Sequence, residues 1–214
     1  MAKIVKEALI LFAITLVAGI LLGAVYEVTK APIAKQNEIA KQNAYKAVMA
    51  DAEKFEEIEG ADKYTAVDST VLSDEFAADT ITEVVAGIKD NKIIGFVVTV
   101  VASDGYAGDI KFSVGVSTEG EYLGTSILSI GETAGLGMRA KTDPSFLAQF
   151  NNKKVEKFNL VKDGTGSSAD DKIDAIGGST VTSKAMTGGI NAALSVYKDL
   201  MASNVKTVGG VGIE

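Results

Sequence analysis

The sequence predicts an α+β protein in which a single N-terminal transmembrane helix precedes one domain with an antiparallel sheet covered by helices. Three observations lead to this class. An uncharged apolar run fills residues 8–25. Two pairs of β-rich runs lie between Ile81 and Ile130, and each pair is joined by a short turn. Apolar residues at helical spacing follow Thr180 and predict a long amphipathic helix.

The apolar run predicts a membrane anchor over residues 1–30. About 18 helical residues span about 27 Å, which is enough to cross the hydrocarbon core of a bilayer. A cleaved signal peptide is the alternative. The run is long for such a peptide, and Gly23-Ala24-Val25-Tyr26 is a poor cleavage site. Lysines lie on both sides of the run, so the positive-inside rule does not fix the orientation.

Residues 31–60 predict a helical stalk or cap. Apolar residues at roughly helical spacing predict a helix from Pro32 to Ile58 that continues from the anchor, and the Pro32 ring allows a bend. The domain itself is expected over residues 61–214. Its first hairpin should turn at Asp90-Asn91 and its second at Glu119-Gly120. Short helices around 144–150 and a strand over 155–161 complete the prediction.

Composition restricts the chemistry of the chain. The 214 residues carry a net charge of −7 and include no cysteine and no histidine. The usual ligands of iron–sulfur clusters and zinc are therefore missing, as are the Ser-His-Asp and Cys-His catalytic groups. The negative charge argues against nucleic-acid binding. A redox function would require an organic cofactor.

The start of the last helix predicts an anion site. Gly177-Gly178-Ser179-Thr180 directly precede the amphipathic pattern. Glycines allow close backbone approach to a ligand, and the first helical turn offers unpaired N–H groups at the positive end of the helix dipole. An ordinary N-cap gives the same pattern. Neither GxGxxG nor GK[ST] is present here, so these residues alone identify no nucleotide.

The segment from Asp174 to Ser183, DAIGGSTVTS, resembles the flavinylation motif D-x-x-S/T-G-A-T-x-T-S of the FMN-binding domain family. In that family the threonine of the S-G-A-T element carries FMN through a phosphoester. The resemblance therefore implies FMN bonded covalently to Thr180. Gly177 and Ser179 depart from the motif, but both are small, and we expect the turn to be preserved.

Two further segments resemble elements of the same family. GETAGLG at residues 131–137 is similar to H-x-E-T-P-G-L-G, with Ile130 and Ala134 where the family has His and Pro. GYAGDI at residues 105–110 is similar to the family's GYGG-I turn, where the tyrosine either stacks on the flavin or serves packing. The resemblance implies no catalytic or metal-binding residue, and it implies these cofactor-binding residues: Thr180, Asp174, Gly177, Gly178, Ser179, Thr182, Ser183, Glu132, Thr133, Gly135, Leu136, Gly137 and Tyr106.

Within this family the chain is similar to the G subunits of ion-translocating ferredoxin:NAD⁺ oxidoreductase (Rnf) complexes. That resemblance implies an electron carrier in the cell (inner) membrane with its FMN domain on the extracytoplasmic side. Its partners would be the other membrane and cytoplasmic Rnf subunits and a flavin transferase that installs the FMN. Two alternatives stay open: the C subunit of a sodium-translocating NADH:quinone oxidoreductase, and a tethered binding module without flavin.

Overall fold

The computed structural model describes residues 2–65, 76–203, 207 and 209–212. The chain divides into two compact units, residues 1–42 and 43–214. Helix α1 (Ala2–Val48) provides all of the first unit that the structure describes. An 18-residue window of α1 has a mean hydropathy of 2.7 and is entirely exposed, so the helix can cross a membrane by length and composition. The polar group of Thr15 in this run is satisfied, because its hydroxyl donates to the Leu11 carbonyl at 3.1 Å.

The predicted helix from Pro32 to Ile58 is wrong at its C-terminal end. Pro32 lies inside α1 without ending it, and the helix stops at Val48. Strand β1 (Lys54–Glu57) follows and pairs antiparallel with strand β2 (Asp79–Lys89) along the edge of the sheet. The backbone groups of these residues are satisfied by a neighbouring strand, which helical periodicity cannot reveal. The boundaries of the predicted stalk or cap at residues 31–60 remain a prediction.

The main sheet has five antiparallel strands in the order β1, β2, β3 (Lys92–Ala102), β4 (Ile110–Ser117) and β5 (Tyr122–Ser129). Both predicted hairpins are confirmed. Asp90 and Asn91 have φ values of 49° and 61°, as a two-residue hairpin turn requires. In the second hairpin, Gly120 has φ 86° and its N–H donates to the Ser117 carbonyl at 3.0 Å.

The two faces of the sheet are covered by different elements. Alternate strand residues point to opposite faces. Phe96, Val98 and Val100 of β3 belong to the main core, and helix α5 (Thr180–Ala202) contributes a long buried stripe to the same core. The opposite face carries a smaller cluster, in which Val97 packs with Tyr45, Val48, Met49, Ala52 and Val85. The second unit therefore includes the last residues of α1 as part of its packing.

Short helices and strands complete the second unit. The predicted strand over 155–161 is reduced to its last three residues, and it pairs in parallel with a second short strand outside the main sheet. The short helices predicted around 144–150 correspond to α4 (Pro144–Ala148), which directly follows α3 (Arg139–Thr142). The other short elements of the described residues are α2 (Asp62–Thr65), β6 (Asn159–Val161), a 3-10 helix (Gly166–Ser168) and β7 (Lys172–Asp174).

Candidate functional site

Three loops that are far apart in the sequence meet around one cavity of about 470 Å³. One connects β3 to β4, the second follows β5, and the third leads into α5. Because neighbouring strands of an antiparallel sheet run in opposite directions, the start of β4 and the end of β5 lie at the same end of the sheet. Lys111 accordingly pairs with Ser129. The residues that line the cavity are Tyr106, Glu132, Thr133, Leu136, Gly137, Gly178, Ser179, Thr180, Val181 and Thr182.

Glu132 links two of these loops. Its side chain is only 5% exposed, and its Oε1 accepts hydrogen bonds from the N–H groups of Tyr106 at 2.7 Å and Ala107 at 3.4 Å. Its Oε2 is buried and has no partner within the described part of the chain. Glu132 is also the only residue with a formal charge in the cavity lining. A buried carboxylate oxygen without a partner requires an explanation, and a donor group on a ligand would supply one.

Gly137 allows the side chains of Glu132 and Thr182 to lie close to its backbone. A Cβ on Gly137 would lie 2.5 Å from Thr182 Oγ1 and 2.6 Å from Glu132 Oε2. Both distances are far shorter than van der Waals contact. A glycine is therefore required at position 137 by the neighbouring side chains, and not by its own backbone conformation.

The start of α5 presents donors to the same cavity. Ser179 is the N-cap residue, but its side chain makes no capping hydrogen bond. Its hydroxyl oxygen is buried and has no partner among the described residues. The N–H groups of the first turn have no partner within the helix, and they lie at the positive end of its dipole. Gly178 turns the chain into the helix with φ 78°. Together these groups suit a phosphate.

Four predicted site residues do not line the cavity: Gly135, Asp174, Gly177 and Ser183. Gly135 and Gly177 are exposed. Ser183 is fully buried, and its Oγ accepts from Ile176 N and donates to the Ser179 carbonyl, each at 2.9 Å. The Asp174 carboxylate accepts from Gly166 N at 3.1 Å and lines a different groove. A direct role for these four residues in cofactor binding remains a prediction.

The rim of the cavity is apolar and exposed. Tyr106, Leu136 and Val181 are 73%, 47% and 46% exposed. Only one other large hydrophobic residue of residues 43–65, 76–203, 207 and 209–212 is comparably exposed, Met201 at 37%. Sequence reasoning missed Val181. The available signal was an apolar residue on the solvent side of an otherwise amphipathic helix, directly after Thr180.

These features fit FMN. The flavin nucleotide combines a phosphate, a ribityl chain with hydroxyl donors and a flat aromatic ring. The uncapped start of α5 suits the phosphate, the unpartnered Glu132 Oε2 suits a donor, and the exposed apolar rim suits the ring. A larger cavity of about 630 Å³ contains Asp79 and Asp104, but none of the predicted site residues line it.

Comparisons with known proteins agree with this assignment. Residues 105–195 match the FMN-binding domain family, and residues 1–48 match the RnfG N-terminal region. Fold, site and these matches together define a membrane-anchored electron-transfer flavoprotein with an FMN-binding domain.

Individual relatives narrow this class. The G subunit of the Na⁺-translocating ferredoxin:NAD⁺ oxidoreductase complex of Acetobacterium woodii is 32% identical, over 91% of this chain and 92% of its own. The G subunit of the proton-translocating ferredoxin:NAD⁺ oxidoreductase complex of Clostridium ljungdahlii is 34% identical, over 88% of this chain and 92% of its own. The chain belongs to this family of Rnf complex G subunits, which confirms the predicted family. Among solved structures, NqrC of Shewanella oneidensis matches with a TM-score of 0.48 and 25% identity, over 56% of this chain and 61% of its own.

Proposed function

We propose that the chain carries FMN through a phosphoester on Thr180 and relays electrons within an ion-translocating ferredoxin:NAD⁺ oxidoreductase complex. The observation that supports this most directly is the position of Thr180. It is the first residue of α5 and lines the cavity beside the uncapped Ser179 and the buried Glu132. A phosphate bonded to the Thr180 hydroxyl would meet the free N–H groups of the same helical turn.

Attachment requires a donor and a separate enzyme. With FAD as the donor, the Thr180 oxygen attacks the phosphorus on the FMN side of the pyrophosphate. A new O–P bond forms, the pyrophosphate P–O bond breaks, and AMP leaves with the bridging oxygen. The hydroxyl proton passes to a base of the flavin transferase. The resulting diester has one negative charge, which the positive end of the α5 dipole stabilises.

Covalent attachment suits a carrier that meets more than one redox partner. A flavin held only by contacts could dissociate between partners, whereas a phosphodiester keeps it on the domain. The residues around the cavity then have an orienting role. Glu132 and Thr133, which line the cavity, would hold the ribityl chain through their polar atoms, and Leu136 and Tyr106 would provide apolar surface for the ring. Bound FMN supplies reversible electron transfer, and the protein fixes its position and surroundings.

The relatives indicate the setting of the carrier. Their names describe subunits of complexes that translocate Na⁺ in one organism and protons in another. Partners of this chain are accordingly proposed to be the other Rnf subunits. The apolar part of α1 lacks charged side chains between residues 8 and 25. Since ion paths in membranes use polar or ionisable groups, this segment serves as an anchor.

The test of attachment uses protein co-expressed with a flavin transferase. After denaturing electrophoresis, the wild-type band should fluoresce under ultraviolet light and the Thr180→Ala band should be dark. Thr142→Ala is the matched control, because it removes a threonine hydroxyl that is exposed and lies outside the cavity lining. It should keep its fluorescence. A dark wild-type band would favour a binding module without flavin, and a bright Thr180→Ala band would mean that another residue is modified.

The side of the membrane can be tested without removing native thiols, since the chain has no cysteine. We propose that the FMN domain is extracytoplasmic. Lys162→Cys places a thiol on the exposed surface of the domain, and Lys3→Cys places one before the apolar run. In cells with an intact cytoplasmic membrane, an impermeant maleimide should label Lys162→Cys alone. Labelling of Lys3→Cys alone would reverse the proposed topology.

A further inference from the structure

The attachment loop, residues 175–179, joins β7 to α5 and ends one residue before Thr180. Two side chains hold it. Gln149 bonds both backbone polar groups of Asp174 just before the loop: Asp174 N donates to Gln149 Oε1 at 2.8 Å, and Gln149 Nε2 donates to Asp174 O at 3.1 Å. Ser183, in the first turn of α5, accepts a hydrogen bond from Ile176 N and donates one to Ser179 O.

Gln149 projects from a rigid part of the core. It is the C-cap residue of α4, and the adjacent Phe150 is fully buried. The Phe150 ring packs edge-on against Phe146 and Phe158, with centroid separations of 5.6 and 4.9 Å. Because close-packed aromatic rings resist movement, the Gln149 amide is a fixed reference point for the loop.

The Asp174 carboxylate lies outside the cavity lining. Its Oδ1 accepts from Gly166 N at 3.1 Å, and the residue borders a groove that also contains Gln149. Asp174 can therefore influence Thr180 only through the backbone of the attachment loop. Gln149 holds that backbone at the same residue.

We propose that Gln149 is a positioning residue for flavin attachment, because it fixes the backbone from which the Thr180 hydroxyl is presented. The inference rests on the proposed covalent function of Thr180. A glutamine is suited to this role because its amide is an acceptor and a donor at once. A glutamate keeps the acceptor for Asp174 N but loses the donor for Asp174 O, and a leucine loses both.

The experiment compares the full-length chain with Gln149→Glu and Gln149→Leu during co-expression with a flavin transferase. The initial rate of covalent flavin incorporation is followed by in-gel fluorescence and intact mass. Displacement of a reacting group by a fraction of an ångström to an ångström lowers rates strongly, so Gln149→Leu should be slower by roughly tenfold. Gln149→Glu should fall between it and the wild type. Asn151→Ala is the matched control, since Asn151 is exposed in the same groove, and it should leave the rate unchanged.

Amide hydrogen exchange separates positioning from a general loss of stability. It is measured on the same variants in a Thr180→Ala background, so that the readout needs no flavin. Gln149→Leu should speed exchange in residues 175–179 and leave β2 to β5 unchanged. Faster exchange throughout the sheet would overturn the positioning role, as would a wild-type rate of attachment in Gln149→Leu. If the wild type itself acquires no flavin, the proposed function fails, while the exchange data still decide whether Gln149 holds the loop.

Discussion

Gly87 and Gly115 in the sheet and Gly137 beside the cavity all lie where a Cβ would be too close to a neighbour, but the neighbouring groups differ. A Cβ on Gly115 would lie 2.6 Å from the Val48 carbonyl oxygen, and one on Gly87 would overlap the Met49 sulfur. The space above these strands is thus filled by residues at the end of α1. Gly137, by contrast, lies against two side chains that border open volume.

The polar groups show the same contrast. Beside the cavity, Glu132 Oε2 and Ser179 Oγ are buried without partners in the described chain. Within the sheet, Thr99 Oγ1 and Ser113 Oγ are buried and hydrogen-bonded to each other at 3.0 Å. Buried polar groups are almost always paired in folded proteins. In the sheet the chain pairs its own polar groups, whereas at the 470 Å³ cavity two unpaired polar groups lie beside the start of a helix, as expected of a site for a phosphate-containing ligand.

The largest expected effect on stability is on the face of the sheet where Gly115 lies against Val48. Gly115→Ala should lower the free energy of unfolding by about 2–3 kcal/mol, because a Cβ there meets the backbone of Val48 and overpacking a rigid contact is costly. Circular dichroism during chemical denaturation of the detergent-solubilised protein measures it.

Gly87→Ala is the matched control on the same face. Its Cβ would meet the flexible end of the Met49 side chain, which can move to another rotamer. The loss should stay below about 1 kcal/mol. Equal losses for Gly87→Ala and Gly115→Ala would contradict the view that the α1 backbone is the rigid partner of this face.

A smaller effect on stability is expected at Asp79, which lies beside two glycines of α5. Cβ atoms on Gly188 and Gly189 would lie 3.6 and 3.4 Å from the carboxylate oxygens of Asp79. Burial, and then the nearby charge of Asp104, raise the pKa of Asp79 to about 7. Lys157 and Lys184 line the same cavity.

The sign of the pH effect follows from proton binding. Folded Asp79 holds its proton at pH values where the unfolded chain has lost it. Wild-type stability should therefore fall as the pH rises from about 4 to about 7, and Asp79→Asn should remove this fall. At pH 8 Asp79→Asn should be more stable than the wild type by about 1–2 kcal/mol. This is less than the pKa shift alone would give, because the cavity beside Asp79 is open to solvent. Denaturation midpoints at pH 5 and pH 8 that shift in parallel for both proteins would contradict this.

The sequence predicts those parts of the fold that local signals specify. The Asp90-Asn91 turn and the α5 pattern are each encoded within a few neighbouring residues, and both are confirmed. Strand β1 was missed because its four residues become a strand only by pairing with β2, far along the chain. The predicted helix beyond Val48 failed for the same reason.

The site shows a similar division. Resemblance to family motifs assigns Tyr106, Glu132 and Thr180 to one site from the sequence alone, and all three line one cavity. The motif gave no physical role for Asp174, because its partners Gln149 and Gly166 carry no sequence signal of their own. Gln149 could be recognised only from the pair of hydrogen bonds it makes to the Asp174 backbone.

On the cavity side, Gly137→Ala should cost about 1–2 kcal/mol of stability, because its Cβ would lie 2.9 Å from the Glu132 Cβ and 2.5 Å from Thr182 Oγ1, and both residues are buried. A second effect should appear in the flavin. The added methyl group displaces the two side chains into the volume proposed for the cofactor, and covalent incorporation should fall. In-gel fluorescence and thermal denaturation of the same samples measure the two effects. A large loss of stability with normal flavin incorporation would mean that Gly137 resembles Gly115 and serves packing alone.

The smallest expected effect concerns the two neighbouring glycines of the attachment loop. A Cβ on Gly177 would meet nothing within 4 Å, and Gly177 needs no left-handed backbone, whereas Gly178 has φ 78°. Gly177→Ser should therefore change the free energy of unfolding by less than about 0.5 kcal/mol and retain covalent flavin. Gly178→Ser should cost about 1 kcal/mol and reduce incorporation, because it shifts the turn that leads into Thr180. Loss of flavin in Gly177→Ser, measured by in-gel fluorescence, would show that this side of the loop is covered during attachment, and the open space beside Gly177 would then be a contact surface for the transferase.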